Sequence, residues 1–270
     1  MFKLSNDELE VTLLDPAVDQ DRFGTRFCTG GYIFQISDRD VGALLTGPTY
    51  PDSFEPFHGQ GIPDTFNRAP LRDPENPRLA LVIGIGLCDL KEDRVVEFCE
   101  WQVDVQEDRF TFRTTQALGG NALSVVREVR LLERTVRSST RVTNDGGVSF
   151  PVAWFAHPFF PQPTDDELFR PNIPVTIPEN DGYELGRNGF VRRKNWPWAT
   201  DYFLAVRHQA TSPLTVHQRH PKLGLVAASY SYVPGYFPIW GNPGTFSFEP
   251  YLERFVGAGE TLVWSMTVDF

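Results

Sequence analysis

Short stretches in which apolar and polar residues alternate, broken by turn-forming residues, dominate the chain. Leu9–Leu14 (LEVTLL) reads as a strand closed by Asp15-Pro16, and Tyr32–Ile36 (YIFQI) as a second, opened by Gly30-Gly31. The second has no clean polar face, which predicts burial on both sides. Leu79–Gly86 (LALVIGIG) reads as a buried strand interrupted by glycines. Val95–Val105, Arg109–Thr115 and Val125–Leu131 follow, separated by Gln106-Glu107-Asp108 and Gly119-Gly120-Asn121. In the last of these, Val125, Val129 and Leu131 share a face, and Arg127 and Arg130 are expected to point mostly outward. Val136–Thr143, a turn at Asn144-Asp145-Gly146-Gly147 and a strand ending at His157 read as a hairpin, since that turn supplies residues tolerant of positive φ. Further strands are predicted at Leu204–Val206, Leu214–Val216, Leu225–Ser231, Thr245–Pro250 and Thr261–Phe270. Short strands with turns between them define an all-β protein, an antiparallel sandwich or barrel.

Two regions depart from this rhythm. Residues 45–80 are rich in proline and loop-like, and a loop this long inside a compact domain is usually a lid or a site wall. His58 lies there beside Gly59 and Gly61, either as an exposed loop histidine or as a group placed against a ligand. Residues 161–200 are expected to be irregular, with PQPTDDELF forming one helical turn capped by Thr164. Gly84-x-Gly86 invites a dinucleotide-binding reading, but Asp89 stands where the third glycine would fall and no helical pattern follows. No repeat, linker or break in composition divides residues 1–270, which are read as one domain.

The composition narrows the functional classes. Twenty-two Phe, 22 Pro and 22 Gly agree with many short strands rather than helices. A net charge of −10 disfavours a nucleic-acid or anionic-membrane partner. No apolar run approaches the ~20 residues of a membrane span. The N-terminal MFKLSNDELE has no apolar signal-like core, and Cys28, Cys88 and Cys99 form no C-x-x-C pair. Reduced thiols in a cytoplasmic protein are the expectation.

The strand reading delivers titratable groups to strand ends. Pro158 biases His157 toward an extended backbone among Trp154, Phe155, Phe159 and Phe160. The imidazole is either a proton-transfer group on an aromatic floor or a buried histidine closing a core strand. Glu249 ends the apolar strand TFSFEP in the same way, and is otherwise a surface glutamate before Pro250. In NWPWATDYF, Asp201 sits near Trp196 and Trp198. Aromatic plates beside a carboxylate suit a sugar, although tryptophans also fill cores; Trp196 is assigned to the core and Asp201 to a site. His217-x-x-His220 lies on a strand, the wrong geometry for a helical metal pair, and no third ligand is evident, so no metal is assigned.

Three segments, VTNDGGVSFPVAWFAHPFF, TDYF and FSFEP followed by GAGETLVW, occur in an order and spacing that resemble the galactose mutarotase-like proteins, the aldose 1-epimerases and their hexose-phosphate relatives. The resemblance implies a large antiparallel β-sandwich with a sugar on its concave sheet and no cofactor. It implies His157 as general acid, Glu249 as general base and Asp201 as the residue that orients sugar hydroxyls. Acid and base are expected on opposite sides of the ring of a monosaccharide or sugar phosphate. The activity implied is interconversion of α and β anomers. A non-catalytic carbohydrate-binding protein is the second reading, and an oligosaccharide hydrolase or lyase the third. The commoner members carry a histidine in a His-Gly-Phe segment where Ile83-Gly84-Ile85-Gly86 stands here. His58 is the candidate replacement, and Arg26 and Arg68 are candidates for a substrate hydroxyl or an anionic group.

Overall fold

In the computed structural model, residues 1–47 and 59–270 are described. Among them the regular structure is strand, apart from a single 3-10 turn at Gln20–Arg22. Two large antiparallel sheets enclose the main core. In the seven-stranded sheet, Leu9–Leu13, Cys28–Asp38, Ile62–Thr65, Phe150–Ala156 and Leu252–Val256 are successive neighbours. In the ten-stranded sheet, Arg109–Leu118, Asn121–Leu132, Thr135–Asn144, Thr261–Asp269, Gly224–Tyr230 and Thr215–His220 are successive neighbours. A four-stranded sheet, Phe160–Pro161, Thr245–Phe248, Pro238–Gly241 and Tyr202–Ala205 in that order, lies at one end of the seven-stranded sheet's site-bearing strand. The strict inside–outside alternation of Asn121–Leu132 is what a sheet with one solvated face requires.

Several expectations are corrected. The hairpin at 136–157 does not exist. Thr135–Asn144 pairs with Asn121–Leu132 and Thr261–Asp269, whereas Phe150–Ala156 pairs with Ile62–Thr65 and Leu252–Val256. The turn between them carries the chain from one sheet to the other, and neither Gly146 nor Gly147 has a positive φ. The buried Asn144 side chain organises this corner. Its amide donates to the Val148 carbonyl at 2.8 Å and the Val256 carbonyl at 2.9 Å, and its oxygen accepts from the Gly146 N–H at 3.0 Å. The predicted strands at 79–86 and 95–105 are each two strands in part: Leu79–Val82 and Gly86–Asp89, then Arg94–Phe98 and Gln102–Val105. No helical turn forms near Thr164. Leu168 and Phe169 are buried in the core, which draws Glu167–Pro171 into the ten-stranded sheet.

Within the expected loop at 45–80 lies a fully buried strand, Ile62–Thr65. Gly61 precedes it with φ +74°, and a side chain there would collide with the Ile33 and Phe34 carbonyls. His58 lies outside the described residues.

Arg127 points into the sandwich, not outward. It is completely buried and pairs with Asp64 of the opposite sheet, whose other oxygen accepts from the Trp154 indole N–H at 2.8 Å. Burial works to lower the Arg127 pKa, but the Asp64 and Cys28 groups beside it outweigh this and push it up. Removing one member of such a pair strands the other charge in the core. Asp64→Ala is expected to cost about 3–5 kcal/mol in urea-induced unfolding, and an unchanged midpoint would show that the pair does not carry the packing of the two sheets.

Candidate functional site

The four-stranded sheet supplies the floor of a cavity of about 820 Å³. Phe203 stands opposite Trp240, and Trp240 opposite Ser247, so these three share one face of the sheet. Phe159, immediately before the first strand of this sheet, extends the aromatic surface and meets the Trp240 ring edge-on at 6.2 Å.

His157 enters from the end of Phe150–Ala156. Its N–H donates to the Pro63 carbonyl and that of Phe159 to the Gly61 carbonyl, each at 2.8 Å, which continues the pairing with Ile62–Thr65 past Pro158. The extended backbone expected before proline is therefore fixed by a neighbouring strand. The imidazole stacks on Phe159 with centroids 4.4 Å apart and meets Trp240 edge-on at 5.7 Å and Phe27 at 6.4 Å. Glu249 follows Thr245–Phe248 and is anchored by its N–H to the Pro238 carbonyl at 2.9 Å. Both side chains are buried, and His157 Nε2 lies 3.2 Å from Glu249 Oε1. They sit side by side, not on opposite sides of a ring-sized gap.

Burial sets the protonation of this pair. It pushes the Glu249 carboxyl up to about 8, against the opposing pull of Arg26. It pushes the His157 imidazole down to about 3, and the Arg26 charge adds to that. His157 Nδ1 is also buried without a hydrogen-bond partner, so an imidazolium would hold an unsatisfied N–H. Burial thus works against the charged form of each group and favours a carboxylic acid beside a neutral imidazole.

The remaining expected residues, His58 apart, line the same cavity: Asp201, Arg26 and Arg68. Asp201 accepts from the Trp240 indole N–H at 3.3 Å and the Thr200 hydroxyl at 3.1 Å, which hold its carboxyl below its ordinary range. Arg26 is partly buried with its guanidinium carbon 5.0 Å from the Phe27 ring centre. Burial lowers its pKa while the Glu249 charge opposes the shift; a guanidinium nonetheless stays protonated. Arg68 is exposed at the rim.

The sequence reading missed Trp240, Phe203, Thr65 and Tyr251, all of which line the cavity. The Thr65 hydroxyl is buried there without a partner. The aromatic plate beside Asp201 is Trp240, not Trp196 or Trp198: Trp198 is core, and Trp196 packs under the Arg193 guanidinium at 3.9 Å. A cue for Trp240 existed in PIWG, a short apolar run between prolines. His217 and His220 lie on a strand three residues apart, so they face opposite ways; His220 Nε2 is 2.9 Å from the Leu44 carbonyl. Among the described residues no group of three or more His, Cys, Asp or Glu is placed to hold a metal ion. No described helix is long and apolar enough to cross a membrane. The three cysteines are unpaired.

The fold is that of the galactose mutarotase-like proteins. A galactose mutarotase related enzyme from Lactobacillus acidophilus superposes with a TM-score of 0.66 at 12% identity, covering 99% of this chain and 96% of that one. A galactose mutarotase-like protein from Lactobacillus casei gives 0.58 at 15% identity, covering 100% and 99%. A GalM/aldose epimerase homologue from C. elegans gives 0.52 at 10% identity, covering 99% and 97%. No protein-family profile and no curated protein sequence matches the chain.

The electrostatics of the pair are directly measurable. In carbon-detected NMR with labelled glutamate, the resonance lost in Glu249→Gln is expected to titrate near pH 8, and the His157 ring to stay neutral down to about pH 3. A Glu249 carboxyl ionised at pH 5 would contradict this account of its burial.

Proposed function

We propose that the protein is an aldose 1-epimerase-like isomerase, interconverting the α and β anomers of a hexose or related sugar by acid/base ring opening. The observation that carries this reading is the 3.2 Å contact between His157 Nε2 and Glu249 Oε1 in a cavity also lined by Asp201, Arg26 and Arg68. The side-by-side placement suits the chemistry. In a cyclic hemiacetal the anomeric hydroxyl and the ring oxygen are both bonded to C1, so an acid and a base in contact address the two oxygens from one side.

In the arrangement with the proton on the imidazole, the Glu249 carboxylate takes the proton of the anomeric hydroxyl. His157 gives its proton to the ring oxygen as the C1–O5 bond breaks. The aldehyde rotates about C1–C2, the ring recloses on the other face, and the two groups exchange roles. The working arrangement has the same number of protons as the resting one, so the pair needs only an internal shift. Burial disfavours its separated charges; the Arg26 cation favours the carboxylate, and the polar atoms of a bound sugar replace the water that both groups lack. Asp201 accepts hydroxyl protons of the sugar, and Arg68 at the rim suits either a hydroxyl or the phosphate of a sugar phosphate.

A non-catalytic carbohydrate-binding protein is the second reading. It is favoured by Ile83 and Ile85, which occupy the place of the family's further histidine and are buried in the main core. Calorimetric binding of a sugar without faster mutarotation would select it.

Polarimetry on freshly dissolved α-glucose and α-galactose tests the first reading. The protein is expected to accelerate mutarotation, and His157→Ala and Glu249→Gln each to lower kcat/KM by about 10²-fold or more with unchanged circular dichroism. Wild-type rates in both variants would reject the assignment. The pH dependence follows from the shared proton. Below about 3 both groups are protonated and the base is lost; above about 8 the proton leaves and the acid is lost. Activity is therefore expected to fall as pH rises through about 8, with the apparent values belonging to the pair.

A further inference from the structure

We infer that a slot between the strands Arg94–Phe98 and Arg109–Leu118 binds the C-terminal segment of another polypeptide, added as one antiparallel strand with its free carboxylate at the closed end. The slot is a cavity of about 720 Å³. It shares no lining residue with the cavity at His157 and Glu249, so the inference stands apart from the isomerase reading.

The slot follows from a fork in the sheets. Gln102–Val105 pairs with residues 110–113, and Gln102 opposite Arg113 is the last pair. Before Gln102 the chain leaves this ladder, and Arg94–Phe98 pairs with Gly86–Asp89 instead. Residues 114–118 therefore have a strand partner on one side only, Asn121–Leu132. Their other edge borders the slot, as does Arg94–Phe98, the last strand of its own sheet. Three observations point to an occupant. Open edges are normally blocked by charge, proline or a bulge, yet residues 114–118 read TTQAL and hold unbroken register with Asn121–Leu132. Where the fork closes, the residues just past the last pair are Trp101 and Thr114, and the Trp101 indole N–H is buried without a hydrogen-bond partner. The charges are also ordered along the slot. Arg113 stands at the closed end, and Glu97 and Glu100 stand on the strand that diverges toward the open end. All three are exposed, and none has an ion-pair partner among the described residues.

Strand direction completes the argument. Residues 114–118 run from the closed end to the open end, and the pairings on both sides of Arg109–Leu118 are antiparallel. A strand added in the same sense runs the other way, so its C-terminus arrives at the closed end. Its carboxylate meets the Arg113 guanidinium there and supplies the acceptor that the Trp101 N–H lacks. Basic side chains earlier in the peptide meet Glu97 and Glu100. Main-chain hydrogen bonds to residues 114–118 provide the remaining affinity. A second copy of this chain fits less well, because its own Asn121–Leu132 would be driven against the wall formed by Arg94–Phe98.

Isothermal calorimetry and amide hydrogen exchange with the synthetic hexapeptide KVKVTV test this. Saturable one-to-one binding is expected, with slowed exchange at residues 114–118. Amidating the peptide's C-terminus and the variant Arg113→Ala are each expected to weaken binding about tenfold, the loss of one charge-assisted contact. The double variant Glu97→Gln, Glu100→Gln is expected to weaken it by a similar factor, and methylating the peptide's backbone nitrogens to abolish it. Circular dichroism and mutarotation rates are expected to be the same in the variants as in the parent protein. No saturable binding, binding that survives backbone methylation, or full affinity for the amidated peptide would overturn the inference. Protection of residues 114–118 by self-association of the free protein, seen in sedimentation, would overturn it in favour of a second copy.

Discussion

Arg127 is enclosed between the two large sheets, and each of its nitrogens finds an acceptor there. Nε donates to the Thr140 hydroxyl, Nη1 to the Gly30 carbonyl, and Nη2 to Asp64 and the Ser138 hydroxyl. A buried ion pair is a weak source of net stability compared with apolar packing, yet it tolerates few alternative arrangements. Its consequence here is positional. Asp64 lies in register with Ala156, the residue before His157. The charge pair that joins the sheets thus shares a backbone ladder with the imidazole of the candidate site. The Trp154 indole, bonded to the same carboxylate, fixes the strand from which His157 emerges.

The same arginine shows what the sequence could and could not reveal. The period-two pattern places residue 127 on the face of Val125 and Val129, which is inward. Its charge argued the other way, and the charge argument failed because the partner, Asp64, is 63 residues distant along the chain. Strand existence was legible wherever alternation ran for five residues or more, as in Leu9–Leu13 or Asn121–Leu132. Strand pairing was not. Asn144-Asp145-Gly146-Gly147 has the composition of a tight turn, and nothing local distinguishes a turn within one sheet from a corner between two. The deciding contact is the Asn144 amide to the Val256 carbonyl, more than a hundred residues away. Short strands such as Ile62–Thr65, whose sequence IPDT has no periodicity, owe their conformation to neighbours.

The candidate site was legible through its titratable groups and poorly legible through its walls. His157, Glu249 and Asp201 each stand at or beside a strand end, where a side chain can reach a cavity while its backbone stays in the ladder. Their convergence depended on the resemblance of three ordered segments rather than on any local signal. Trp240 and Phe203 were missed because aromatic residues on short strands carry the same pattern in a core and in a cavity floor. Only the partial exposure of these rings, a property of the folded chain, tells the two apart.

The place of Thr261–Asp269 has a bearing on how the molecule is made. This strand lies in the interior of the ten-stranded sheet and joins Thr135–Asn144 on one side to Gly224–Tyr230 on the other. Without residues 261–269 nothing would join the two halves of the sheet, and each would have an unpaired edge. Closure of those edges is a long-range event, and contacts of such high sequence separation make folding slow. Until then the folding protein is at its most vulnerable to pairing with a neighbouring chain, and therefore at its most dependent on being shielded.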